Sequence, residues 1–404
     1  MTHRRPTGAA LLLAATLATG VGAQQGTAPM VISSDPELAA LAETLLPDLA
    51  ERSGLPLRAP VRLERRSRTE LVGYLRTKLD EELPPGEARA AVDTYALLGL
   101  VPADLDLRAV LLGLYTEQIA GFYEPDSTAL FVLDDQAESD LEGLLIHELV
   151  HAIQDQNADL SALTDPDVGS DRATAAQAAI EGHATLVMME FMAEQMMGMR
   201  LDLAMLPDFA TTLRPALDAM RSQFPALSGA PRVVQESLLF PYLEGAAFVQ
   251  SLWAGGQRVA PFGDYMPLST EQIVERSVAG PPIELTLDVT GAQVVDEDVL
   301  GWLTLRVLLD EHVGTAEGEL ARGWEGDRYA LVELGDGTRG LLWYVLWEDV
   351  GTRDAFADAL SGALARFGGP ATVERASVAG SPATLLRVGR VADVTVGVRV
   401  ADDS

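Results

Sequence analysis

Apolar residues recur at helical spacing through most of the first 280 positions, and strand-like alternation becomes common after them. A helix is predicted over 36–51, opened by the capping pair Ser34-Asp35 ahead of Pro36. Residues 61–65 alternate as a strand. Residues 69–83, closed by Pro84-Pro85-Gly86, then 87–98 and 105–122, read as helices. A turn at Pro125 leads into 129–133, an apolar run ended by Asp134-Asp135 and read as a strand. Helices are predicted over 141–156, 173–199, 206–224, 233–253 (interrupted at Pro241) and 269–276, with a polar loop over 159–171. Near Gly280-Pro281-Pro282 the composition shifts. Beyond it the pattern predicts a helix over 299–309 and a hairpin of 329–334 with 340–347 across Gly335-Asp336-Gly337. A helix over 354–367 and strands over 371–379, 383–388 and 394–400 follow. Residues 283–404 therefore read as a smaller α+β domain behind a mostly helical one.

Charge and cysteine content narrow the function classes. The 404 residues carry 60 acidic and 29 basic side chains, a formal net charge of −31. Nucleic acid and anionic membrane surfaces are poor partners for such a chain. The first residues read as an export signal, with Arg4 and Arg5 before an apolar stretch over 9–21 and a small-residue site at Val21-Gly22-Ala23. A signal peptide over 1–23 and a secreted, periplasmic or cell-envelope location are expected. The apolar stretch is too short to span a bilayer, and no later segment is long enough, so stable membrane insertion is not expected. With no cysteine, disulfides are excluded, and the exported chain must be held by its core or by ligands. No sequence feature sets an oligomeric state.

The chemistry concentrates at His147-Glu148-Leu149-Val150-His151, in a chain with five histidines. On a helix, positions i and i+4 share a face, so two imidazoles spaced this way can hold one metal ion while Glu148 reaches a water on it. At 100° per residue, Leu141, Leu145, Ile146, Leu149, Val150, Ala152 and Ile153 cover most of the circumference. His147, His151, Gln154 and Asp155 fall on one narrow stripe. A helix this apolar is a buried one, and ionisable groups on it need partners. A catalytic zinc takes three protein ligands and keeps one position open. The next long helix offers Glu181 and His183, two residues apart and so on opposite sides. Glu181 shares its face with Thr174, Gln177 and Thr185, a polar stripe that favours it; His183 is the alternative. His312 reads as a surface residue near a helix end.

HELVHAIQD followed about thirty residues later by IEGHAT resembles a gluzincin metallopeptidase, the group of thermolysin-like enzymes and related aminopeptidases. Thr116 to Pro125 and Gly323 to Tyr329 look similar to features of a largely uncharacterised family of secreted bacterial HExxH proteins. The resemblance implies a predominantly helical zincin-like α+β domain over 24–282, with a small sheet on the motif helix; residues 24–60 have the place of an N-terminal extension, which no sequence feature marks. It implies one zinc ion per chain on His147, His151 and Glu181, with Glu148 as general base in peptide-bond hydrolysis and Tyr242 as a second electrophile. The partner it implies is a peptide or protein substrate, paired with the strand before the motif helix, here 129–133. The spacing to Glu181 is longer than in thermolysin-like enzymes. Thr185 also stands where those enzymes carry an acid that orients a zinc-bound histidine, which leaves Asp155 as a candidate for that support. Two other readings share the motif: a non-catalytic zincin-like protein binding a partner at the cell surface, and a metal-dependent amidase acting on cell-wall amides.

Overall fold

The computed structural model describes residues 29–220 and 224–401. The predicted signal peptide lies outside the described residues. The chain opens with β1 (Val31–Ser33), α1 (Pro36–Ser53) and β2 (Val61–Arg66). Helices α2 (Arg68–Glu82), α3 (Pro85–Leu97) and α4 (Leu107–Gln118) lead into the hairpin β3 (Gly121–Glu124) and β4 (Ala129–Leu133). Helix α5 (Glu138–Asp155), short α6 (Leu160–Leu163) and long α7 (Ser170–Met197) follow. Then come α8 (Phe209–Met220), α9 (Pro225–Gly229), α10 (Arg232–Phe240), a π-helical turn (Pro241–Gly245), α11 (Ala246–Trp253) and α12 (Thr270–Val274). The last part holds β5 (Leu285–Thr290), β6 (Gln293–Asp298), α13 (Gly301–His312), β7 (Trp324–Glu333), β8 (Arg339–Trp347), α14 (Val350–Ser361), β9 (Ala371–Val378), β10 (Ser381–Val388) and β11 (Thr395–Val400).

The described residues thus form a mixed α+β structure with three sheets. The first sheet runs β1-β2-β4-β3, parallel except for the β3–β4 hairpin. The second is antiparallel, in the order β6-β7-β8-β10-β9, and the third pairs β11 with β5. Among the described residues no helix is long and apolar enough to cross a membrane.

Local chemistry explains most element ends. Asp35 caps α1 by accepting from the N–H groups of Glu37 and Leu38, each at 3.1 Å, and Gly54 ends it in the left-handed conformation. Several boundaries differ from expectation or take an unexpected form. The helix predicted over 105–122 stops at Gln118, and Gly121 begins a strand instead, because tertiary pairing with β4 overrides helical periodicity there. At Pro241 the α-helix is interrupted as expected, though the chain keeps its helical path. Proline has no N–H to give the preceding turn, so the backbone widens into a π turn and continues. Helix α14 begins at Val350, capped by Asp349, which accepts from Thr352 N–H at 2.9 Å.

The largest buried cluster among the described residues joins the helical part to the C-terminal sheet. Leu63, Leu130 and Val132 of the first sheet, Leu145, Ile146 and Leu149 of α5, and Trp343, Val345 and Trp347 of β8 belong to one buried cluster. The opposite face of β8, with Leu342, Tyr344 and Leu346, packs with Leu285 and Leu287 of β5 in a second cluster. Period-2 alternation therefore buries both faces of the five-stranded sheet. His312, expected at the surface, is 6% exposed. Its Nε2–H donates to Leu98 O at 2.7 Å and its ring packs on Phe367, because the last turn of α13 is covered by the end of α3.

Candidate metal centre

Two imidazoles on α5 and a carboxylate on α7 meet at the floor of a cleft of about 770 Å³. His147 Nε2 and His151 Nε2 are 3.1 Å apart. Glu181 Oε2 lies 3.1 Å from the first and 3.4 Å from the second. Ligands placed tetrahedrally at about 2.0–2.1 Å from an ion are about 3.3–3.4 Å from one another. The three atoms mark three corners of a coordination sphere of that size, and the trio could hold a divalent metal ion. Imidazole and carboxylate donors suit zinc, as well as manganese, cobalt and iron. Two ring nitrogens and a carboxylate this close demand positive charge between them. Burial opposes charge on His151, yet the Glu181 carboxylate carries its pKa up to about 9. Burial likewise opposes charge on Glu181, and the imidazoles hold it well below the usual carboxylate range.

The tautomer of His151 follows from its neighbours. Gln154 Nε2 donates to Ile180 O at 3.0 Å and to His183 Nδ1 at 3.0 Å, which uses both its hydrogens. Gln154 Oε1 therefore faces His151 Nδ1, 2.8 Å away, so that nitrogen carries the proton. When His151 gives up its second proton to a metal ion, the lone pair is therefore left on Nε2, facing His147 and Glu181. His183 completes the chain by donating Nε2–H to Ser53 O at 3.1 Å. It is fully buried, and burial pulls its pKa down to about 3, so it stays neutral. With both ring nitrogens committed away from the cleft, His183 is not a ligand here. The support expected from Asp155 is supplied by Gln154 instead. Asp155 accepts from Tyr123 Oη at 2.7 Å and from Leu160 N–H at 3.3 Å. Thr185 lines the cleft one turn after Glu181, and its buried Oγ1 has no hydrogen-bond partner.

Gly182 serves a packing need. A Cβ there would sit 2.0 Å from Gly245 C, and a Cβ on Gly245 would sit 1.9 Å from Ala178 O. Only two glycines let α7 and the π turn cross this closely. That crossing sets Tyr242 against the centre, its ring 6.3 Å from that of His147. Tyr242 is 41% exposed and lines the cleft. The Glu181 carboxylate beside it holds its hydroxyl well above the usual tyrosine range, so the proton stays on.

Glu148 lines the same cleft and is 8% exposed. Burial pushes its pKa up. Tyr123 N–H donates to its Oε2 at 2.9 Å. That donor belongs to β3, a strand the sequence reading missed. Leu133 N–H donates to Ala120 O, so alternate residues of β3 face β4 while Gly121 and Tyr123 face away. Residues 118–123 line the cleft, and β3 is the sheet edge beside it. The strand expected in that place, Ala129–Leu133, is buried along its length, with β2 and β3 occupying both its edges. It has no edge to offer a substrate.

His147, Glu148, His151, Glu181 and Tyr242 line this one cleft, whereas the other two candidates, Asp155 and His183, do not. Gln154 and Tyr123 went unassigned, since no spacing rule marks a glutamine that reads a carbonyl on another helix. Residues 289–402 match a sequence family described as a domain of unknown function, DUF8575. None of the cleft residues falls within that stretch. Comparison with curated proteins finds no match. Comparison with solved structures finds none either.

Proposed function

We propose that the chain is an exported zinc-dependent peptidase of gluzincin type. The observation that carries this is the triangle of His147, His151 and Glu181 ligand atoms, 3.1–3.4 Å on a side, with Glu148 beside it in an open cleft. A zinc ion on these residues supplies a water that ionises near neutral pH and a charge that polarises a carbonyl. The chain does the remaining work. Glu148, with its basicity raised by burial and its orientation fixed by Tyr123 N–H, takes a proton from water and returns it to the leaving amine. The Tyr242 hydroxyl, kept protonated, donates a hydrogen bond to the carbonyl oxygen as negative charge grows there. The outward backbone groups of β3 other than Tyr123 N–H, which serves Glu148, pair with an extended peptide and hold it across the cleft. Gln154 keeps the lone pair of His151 aimed at the centre.

The test is metal content by plasma mass spectrometry on the chain without residues 1–23, together with cleavage of a peptide library. About one zinc per chain is expected, lost in His151→Ala and Glu181→Ala and kept in His183→Ala. Folded wild-type protein that takes up no metal when zinc is offered would overturn the reading.

A further inference from the structure

The face of α7 that lines the cleft continues beyond it. Gln177, Glu181, Thr185 and Met188 stand four, four and three residues apart, share one side of the helix, and all line the cleft. The next positions on that side are Met192 and Met196. Met192 is half-buried, with its Sδ 4.0 Å from where a Cβ on Gly143 of α5 would stand. Met196 is 84% exposed. Met199, just past the Gly198 cap, is exposed as well.

Methionine is concentrated at this end of the helix. Seven of the eleven methionines of the chain lie between Met188 and Met205. Ten large apolar side chains are exposed among the described residues, and Met196, Met197, Met199, Met205 and Leu206 are five of them. The segment after α7 stays beside the helix, since Leu203 N–H donates to Glu190 Oε1 at 3.0 Å. Apolar residues scattered singly over a surface need no explanation, whereas a cluster marks a contact surface.

The neighbouring elements lead the cleft toward this patch. Helices α5 and α7 are antiparallel: His147 meets Glu181, and Gln195 Nε2 donates to Glu142 Oε1 at 2.9 Å. β3 runs in the direction of α5, because a Cβ on Gly121 would meet the Leu144 side chain at 3.0 Å while Tyr123 N–H reaches Glu148. Gly121, Leu144 and Met188 therefore mark one end of the cleft, and the methionine face of α7 leaves from that end. An extended peptide laid along β3 runs out over it. At about 1.5 Å of rise per residue, Met192 is about 16 Å and Met196 about 22 Å along the axis from Glu181, or about five and seven residues of extended peptide.

Methionine side chains are unbranched and repack around apolar partners of different shape, so such a face accepts varied sequences. Charge disfavours two other occupants. At a formal net charge of −31, a second copy would bring like charges together, and an anionic membrane would repel the chain.

We infer that the methionine face of α7 holds an apolar segment of a long, extended polypeptide substrate, about five to seven residues from the bond that is cleaved. The inference rests on the peptidase reading. It makes unfolded polypeptide with apolar stretches, rather than short peptides, the substrate class.

The test begins without turnover. Two labelled peptides of about sixteen residues share one central sequence. One carries leucines five to seven residues from the centre on both sides, and the other carries serines there. Each is titrated into metal-stripped wild-type protein and followed by fluorescence anisotropy. The leucine peptide is expected to bind about tenfold more tightly. The ratio should fall toward one in Met196→Glu/Met199→Glu and persist in Met196→Leu/Met199→Leu. It should also persist in Ile32→Glu, an exposed apolar position on β1 at the opposite edge of the first sheet from β3. Equal affinities in wild type, a ratio untouched by the glutamate pair, or an equal fall in Ile32→Glu overturns the inference. Sedimentation velocity covers the remaining occupant: a dimer dispersed by the glutamate pair assigns the face to a second copy and overturns the inference. A peptide library with the zinc-loaded enzyme separates the two readings. Cleavage indifferent to apolar residues at this distance overturns the methionine face as a substrate site and leaves the peptidase standing. Leucine-selective binding without any cleavage keeps the face as a polypeptide site and overturns the peptidase.

Discussion

Gly182→Ala sets two known effects against each other. Replacing a mid-helix glycine by alanine favours the helix by about 1 kcal/mol. Against this, the new methyl would sit 2.0 Å from the Gly245 carbonyl carbon and 2.3 Å from its oxygen. Ordinary contact begins near 3.4 Å, so α7 and the π turn must part by about 1.4 Å. The obstacle is backbone on both sides, so no flexible side chain can swing away. Overpacking of this kind costs about 1–3 kcal/mol, and the upper end applies here. The net expectation is a loss of about 2 kcal/mol, read as a lower urea midpoint at unchanged slope. Gly245→Ala should behave alike, since its methyl meets Ala178 O at 1.9 Å. Because either change forces the same separation, the double variant should cost less than the sum, by about 1 kcal/mol. Wild-type or higher stability in Gly182→Ala, or strict additivity in the cycle, would refute the close crossing as the reason for these glycines.

Three further outcomes are expected. Gln154→Leu should keep the fold and weaken zinc binding by about 10–100-fold in a competition titration with a chromogenic chelator, because the proton on His151 Nδ1 loses its acceptor. Glu148→Gln should retain zinc while turnover of a cleaved peptide falls by about 10²–10⁴-fold; retained turnover would remove Glu148 from the mechanism. Asp171 gives a pH signature. Burial, helped by Asp327 nearby, pushes its pKa up to about 7, well above the ordinary aspartate value, so the folded state binds the extra proton. Its contribution to stability is therefore present below pH 4 and is lost as pH rises toward 7. Urea midpoints between these limits should fall with pH in wild type and fall less in Asp171→Asn.

The site was legible in the sequence where one helix carries the information. His147, Glu148 and His151 announce themselves through i, i+4 spacing, and Glu181 through the polar stripe it shares with Thr174, Gln177 and Thr185. What stayed hidden depends on two elements meeting. Gln154 looks like any polar residue near a helix end until Ile180 O and His183 are seen to face it. Gly182 reads as a companion of Glu181 in a short motif, although its purpose lies in the π turn. β3 was concealed because Leu111, Leu114 and Tyr115 set a helical rhythm that runs on through Phe122, and only pairing with β4 breaks it. The long hairpin of β7 and β8 was readable from its glycine turn, while β5 and β6, mixing acids with apolar residues, gave no clean period.

The sequence match that starts at residue 289 opens inside β5, whose strand runs Leu285–Thr290 and zips to β11 over six register pairs. A fragment cut at that boundary would leave most of β11 as a bare edge. It would also strip the cover from Trp324, Trp343 and Trp347, which share their cluster with Leu145 and Leu149 of α5. Such an excised piece is expected to aggregate when expressed alone. For this chain, the limits of recognisable ancestry and the limits of a separable folding unit are different lines.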